Sequence, residues 1–234
     1  MHSTVATRAR SLLSHRNDFG FPAEKGPFLG KTGIRPIQDE QYILRMMVRT
    51  PTSGGFQIPS ELEWLRLVIE TCNSQQKQDG IENPYCYVTV RHGIVRSETD
   101  DLWHVDGFSM RVPHIPEQNY IYASTQGTEV LEQEISLPGD FDSMRHNIHQ
   151  YFQDVADVKN IRTLKDKTLY RIDPYVVHRR PTVTAGMVRT FFRISFIPIE
   201  IEDDTCTVNP LIPRVSPYNR GDIRTRLERY PVNL

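Results

Sequence analysis

His104 and Asp106 lie two residues apart in the run LWHVDGF, and their types and spacing suit metal chemistry. In an extended segment, residues i and i+2 project to the same side. An imidazole nitrogen and a carboxylate oxygen can therefore converge on one ion, and Gly107 leaves the backbone free to turn away. His178 ends the β-like run DPYVVH and can add a third ligand from a neighbouring strand. The other histidines are weaker candidates. His146 and His149 are three apart on a predicted helix and read as a solvated polar face, because no third ligand accompanies them. His92 and His114 read as structural or exposed, and His2 and His15 fall in the N-terminal arm.

Two imidazoles and one carboxylate on one face of an octahedron leave three positions open, the arrangement of non-haem Fe(II) sites that activate oxygen. The H-x-D pair alone is common, and two arginines beyond His178 strengthen it. Arg189 comes eleven residues later and Arg193 four after that, in MVRTFFRISF. Positions 189, 191, 193 and 195 share one face of a strand. Buried arginines are costly unless paired, and guanidinium pairs with carboxylates bidentately. The competing reading places both on the solvent face of an edge strand.

These residues need elements to hold them. Residues 17–38 are rich in Gly, Pro and Phe and read as an irregular arm. A short helix is predicted at 39–48. Ser60 and Glu63 have the spacing of a capping box, and Leu62, Leu65, Ile69 and Cys72 then recur on one helical face. After residue 84 the pattern turns to strands, at 85–95, 119–125, 128–137, 168–180 and 187–201. A helix is predicted between them at 140–158. The last thirty residues are Pro-rich and irregular. Short strands with long connections, preceded by helices, predict a mainly β barrel or sandwich with flanking N-terminal helices.

Over roughly 85–200 the chain resembles the Fe(II)/2-oxoglutarate-dependent oxygenases, with taurine dioxygenase-like spacing. The resemblance is carried by HxD at His104 and Asp106, by distal His178, by Arg189 and Arg193, and by the strands YIYAST and QGTEVL. It implies a double-stranded β-helix, a cupin-like jelly roll with iron at one open end. It implies His104, Asp106 and His178 as iron ligands, with 2-oxoglutarate and O₂ as the further reactants. Arg189 matches the residue that grips the far carboxylate of 2-oxoglutarate, with Thr125 as a hydroxyl partner. Arg193 matches a substrate-binding arginine, although the two arginines could exchange roles. Tyr120 and Tyr122, with Trp103 and Phe108, are candidates to line the mouth. A carboxylate at Asp106, where halogenating members carry a small residue, implies hydroxylation or a related oxidation, and the substrate implied is a small acidic or zwitterionic molecule. The same chemistry on a protein or nucleobase, and a cupin-like metal-binding protein without 2-oxoglutarate, are the competing functions.

Composition narrows the classes. The chain has 234 residues, 38% hydrophobic and 24% charged, which suits a single folded domain: an arm at 1–38, a core at 85–200 and a tail at 203–234. Its 28 basic residues against 29 acidic give a net charge of -1, so no global field would hold a nucleic acid. The five arginines between 214 and 229 read as a solvated tail. Three cysteines without a CxxC argue against a disulfide framework or structural zinc. No apolar run approaches the roughly 18 residues of a membrane span. The first sixteen residues lack acids and weakly suggest a transit peptide, but a short amphipathic start serves equally, and the expected location is cytoplasmic.

Overall fold

The structure, a computed structural model, describes residues 18–19, 40–94, 102–106, 117–133, 135, 147–172, 176–182, 184–201 and 206–212. Nine strands are formed by these residues. They are β1 (Asp18–Phe19), β2 (Glu40–Arg49), β3 (Tyr85–Ile94), β4 (Gln118–Ala123), β5 (Glu129–Leu131), β6 (Ile161–Thr163), β7 (Leu169–Ile172), β8 (His178–Arg179) and β9 (Val188–Ile197). Two α-helices accompany them, α1 (Arg66–Gln78) and α2 (Ile148–Val155).

The strands make two antiparallel sheets. One has six strands in the order β1-β7-β4-β9-β3-β2, and the other three in the order β6-β5-β8. β9 is therefore a central strand, flanked by β3 along ten residues and by β4 on its other side. The edge-strand reading of Arg189 and Arg193 fails for that reason.

Period-two alternation divides the six-stranded sheet into two faces. Val88, Val90, Tyr120, Tyr122, Phe192, Ile194 and Phe196 pack beneath the helical segment, against Leu62, Leu65, Val68, Ile69 and Cys72. Each large side chain fully buried here contributes about 1.5–3 kcal/mol relative to exposure. The opposite face carries Ile121 and Phe191, which meet Val130 of β5, so the two sheets pack face to face.

Local chemistry explains several departures from the sequence reading. The stretch predicted as a helix at 39–48 is strand β2. Its register against β3 shifts between Ile43 and Met46, where Arg45 takes a left-handed conformation with φ 43°. The bulge spaces Ile43, Met46 and Met47 at three- and four-residue steps, which imitates a helical period. At the next element the apolar face is as predicted, but the capping box does not form. Ser60–Leu65 is a 3-10 turn, the Ser60 hydroxyl donates to Glu61, and Glu63 pairs with Arg66. The helix predicted at 140–158 is α2, whose amides on His149 and Gln150 donate to the Asn147 side chain; residues 140–146 lie outside the described residues. From the expected irregular arm, Asp18–Phe19 pairs with β7. From the expected irregular tail, Thr207 bonds to Leu44, and Asn209 donates to the carbonyls of Met47 and Gln57. No described helix is long and apolar enough to cross a membrane.

Candidate metal centre

A lone bridge outside the main ladders joins the two histidines. His104 N donates to His178 O at 2.9 Å, and His178 N donates to His104 O at 2.8 Å. This closely spaced antiparallel pair sets the two imidazoles beside each other, with ring centroids 4.4 Å apart. Asp106 follows at i+2. Ligand atoms of His104, Asp106 and His178 all lie within 4.8 Å of one another. They form the one such His/Cys/Asp/Glu cluster among the described residues.

The backbone fixes both tautomers. His104 Nδ1 donates to Leu102 O at 2.8 Å, and His178 Nδ1 donates to Val176 O at 2.9 Å. Each ring thus leaves Nε2 as its lone-pair atom, and His178 Nε2 lies 3.5 Å from Asp106 Oδ2. Carbonyl-anchored imidazoles of this kind are the usual outer support of metal-binding histidines. Burial, and then the neighbouring His104, push the His178 pKa down to about 4, against the pull of Asp106. The ring is neutral at physiological pH, as a ligand must be.

Asp106 is buried and held from two directions. Arg193 Nη1 donates to Oδ1 at 2.7 Å, and Asn119 Nδ2 donates to Oδ2 at 2.8 Å. Burial opposes the charge on Asp106. Arg193 and, behind it, the two imidazoles overcome that and hold the carboxyl well below the usual carboxylate range. Behind this pair lies a second one. Arg45 reaches Glu117 at 3.4 Å, and Ser195 donates to Asn119 Oδ1 at 2.5 Å. Burial raises the Glu117 pKa, and the nearby Asp106 adds to the rise. The donor set is two imidazoles, that of His178 neutral, and one ionised carboxylate, oriented by their hydrogen bonds. It fits a divalent transition metal.

The centre opens into a cavity of about 130 Å³ between the sheets. Thr89 and Arg91 of β3, Ile121 of β4, and Arg189, Phe191 and Arg193 of β9 form one wall. Thr128, His178, Arg179 and Arg180 line it from the other sheet and its flanks. Arg189 is buried in that wall, with Nε donating to Thr125 O at 3.0 Å and Nη2 to Gln126 O at 3.3 Å.

The structure brings together His104, Asp106, His178, Arg189 and Arg193, and it separates them from the other candidates. Tyr120 and Tyr122 are buried on the helix-covered face of β4, where Tyr122 stacks on Phe192. Alternation points that face away from the cavity, which corrects their expected place at its mouth. Trp103 is also core, with the Arg179 guanidinium 4.3 Å above its ring. Thr125 meets Arg189 through its carbonyl, and the threonines lining the cavity are Thr89 and Thr128. Arg193, expected to face substrate, is engaged by Asp106. His92 is buried and bonded to Thr190, and His149 donates to Trp103 O at 3.2 Å. Phe108, Gly107, His2, His15, His114 and His146 lie outside the described residues. Sequence reasoning missed Arg91, Arg180, Asn119 and Thr128. Arg91 was within reach, since it alternates with Thr89 along a strand that was correctly placed.

No family model matches the chain, and no curated protein matches it. Among solved structures it is similar to AviO1 from Streptomyces viridochromogenes Tue57, at 14% identity over 83% of this chain and 81% of that one, with a TM-score of 0.38. It is also similar to EvdO2 from Micromonospora carbonacea var. aurantiaca complexed with 2-oxoglutarate, at 15% identity over 75% and 83%, with a TM-score of 0.38. A third, EvdMO1, is 14% identical over 83% of this chain and 42% of that one, with a TM-score of 0.34. Likeness of this degree says nothing of chemistry, which here rests on the residues themselves.

Proposed function

We propose that the chain is an Fe(II)- and 2-oxoglutarate-dependent oxygenase, a single jelly-roll domain that hydroxylates an unactivated C–H bond of a small acidic or zwitterionic substrate. The observation that carries this reading is the pair of histidines 104 and 178. Their Nδ1 atoms are tied to backbone carbonyls, and their remaining nitrogens converge with an ionised Asp106. Three protein ligands on one side leave room for small molecules on the other.

In this reading His104, Asp106 and His178 hold Fe(II). When bound, the metal and 2-oxoglutarate supply the oxidation, in which one O₂ yields a substrate hydroxyl, succinate and CO₂. Arg189 receives the far carboxylate of 2-oxoglutarate, and Thr128 is a better-placed hydroxyl than Thr125 because it lines the cavity. Ile121 and Phe191 keep that wall apolar, which excludes water from the reacting groups. Arg193 and Asn119 hold the Asp106 carboxylate in place.

The test is anaerobic titration of the Fe(II)-loaded protein with 2-oxoglutarate. A weak visible charge-transfer band should appear and saturate, and Arg189→Ala should weaken the titration. Intact iron-loaded protein that gives no band removes the reading. Release of succinate, screened over amino acids and other small acids, then identifies the substrate.

A further inference from the structure

Arg45 is built into its sheet under strain. Its backbone is left-handed, with φ 43°, a conformation that residues with a Cβ adopt reluctantly. Between the pairs Ile43↔Val90 and Met46↔Val88, the two residues Leu44 and Arg45 stand against Thr89 alone. The bulge is secured on both sides. Thr207 N donates to Leu44 O at 2.7 Å, Leu44 N donates to Thr207 Oγ1 at 2.9 Å, and Arg45 N donates to Thr89 Oγ1 at 3.1 Å. Backbone strain held this firmly is a mark of functional sites.

The extra residue decides where Arg45 points. Ile43 and Met46 both pack in the helix-covered core. Strict alternation would send Arg45 to the face of Ile43, into that core. The bulge turns it to the opposite face, where Arg45 Nη2 donates to Glu117 Oε1 at 3.4 Å. From buried Glu117 the contacts run on to the candidate metal centre. Asn119 Nδ2 donates to Glu117 Oε2 at 3.4 Å and to Asp106 Oδ2 at 2.8 Å. One amide group thus serves two buried carboxylates, and a Glu117 deprived of its cation would draw that amide from Asp106. Burial works against a charge on Glu117, Arg45 favours that charge, and Asp106 opposes it.

We propose that Arg45 is a positioning residue of the metal centre: its guanidinium holds the Glu117 carboxylate, which through Asn119 sets the orientation of Asp106. The strained bulge in β2 is the device that delivers this cation to the buried side of the site. The role rests on His104, Asp106 and His178 being metal ligands, not on the reaction that the metal supports.

Co(II) is titrated into the full-length protein, and both the affinity and the weak visible d–d bands are followed. Arg45→Gly removes the guanidinium and relieves the left-handed backbone. It should weaken Co(II) about tenfold and shift the bands, as loss of outer support does. Glu117→Gln in the same chain removes the stranded charge, so the double variant should recover most of the affinity and the wild-type bands. If Arg45→Gly does not fold, the double variant should fold and bind Co(II). The proposal is overturned if Arg45→Gly binds Co(II) with wild-type affinity and bands, whatever its stability in urea, or if the double variant is no better than Arg45→Gly. Wild type that takes up no Co(II) removes the metal reading and this role together. The expected pattern in a protein that ignores 2-oxoglutarate upholds the positioning role and removes the oxygenase reading.

Discussion

Arg193 Nη1 lies 2.7 Å from Asp106 Oδ1, while Asp106 Oδ2 faces His178 Nε2 at 3.5 Å. One carboxylate is thereby shared between a fixed cation and the place where a metal would sit. Removing one partner of a buried pair strands the other, typically at about 3–5 kcal/mol. Arg193→Met should therefore destabilise the metal-free protein by that order in urea unfolding. It should also weaken Co(II) binding about 10- to 100-fold, as loss of outer support does. An arginine that served substrate alone would leave both quantities unchanged.

The His178 imidazole gives the metal-free protein an acid-sensitive stability. Its folded pKa of about 4 lies below the ordinary 6.5, so between these values the unfolded chain binds the extra proton. The stabilising difference is whole above pH 6.5 and is lost as pH falls towards 4. Asp106, also held below its ordinary value of 3.8, adds a further loss only in stronger acid. The melting temperature of wild type should fall across the first window, and His178→Gln should flatten that slope. An equal slope in both proteins would place the titration elsewhere.

Gly127 sits where the two sheets close on each other beside Thr128. A Cβ there would lie 1.9 Å from the Leu164 carbonyl oxygen, which is backbone and cannot rotate away. The same strand ends are joined by Leu164 N donating to Thr128 O at 2.9 Å and by Gly127 N donating to Asp166. Gly127→Ala must push them apart, at about 1–3 kcal/mol for overpacking. The cavity wall at Thr128 should shift with it, so the variant should lose affinity for Co(II) as well as stability. A variant as stable as wild type would mean the two segments can separate freely.

The H-x-D spacing was readable because extended backbone has only one periodicity, and it placed His104 and Asp106 on one side before any tertiary contact was known. The shared face of Arg189 and Arg193 was readable for the same reason. What alternation cannot say is which face meets the cavity. Tyr120 and Tyr122 were assigned to it, but the helix-covered face takes even positions of β4 and the cavity takes Ile121. Tyr122→Phe should accordingly leave Co(II) affinity at the wild-type value, measured by titration. The partner of Arg193 was hidden by distance, since Asp106 lies 87 residues earlier in the chain. Strand β2 was misread because its bulge at Arg45 breaks the two-residue period that marks a strand.

Asn119 is fully buried and reads its neighbours through a side chain with two different ends. Its amide nitrogen donates to Asp106 Oδ2 at 2.8 Å, and its oxygen accepts from the Ser195 hydroxyl. Asn119→Ala leaves both groups short of a partner, at about 1–3 kcal/mol for each buried polar group affected. Asn119→Asp keeps the shape and should cost more. It sets a carboxylate oxygen against Asp106 and beside Glu117, and like charges in a buried site resist ionisation. The new acid must bind a proton when folded and release it when unfolded, so its penalty grows as pH rises from about 5 to about 8. Urea unfolding of both variants at these two pH values checks the claim. If Asn119→Asp proves the milder change at the higher pH, the amide nitrogen does not face Asp106.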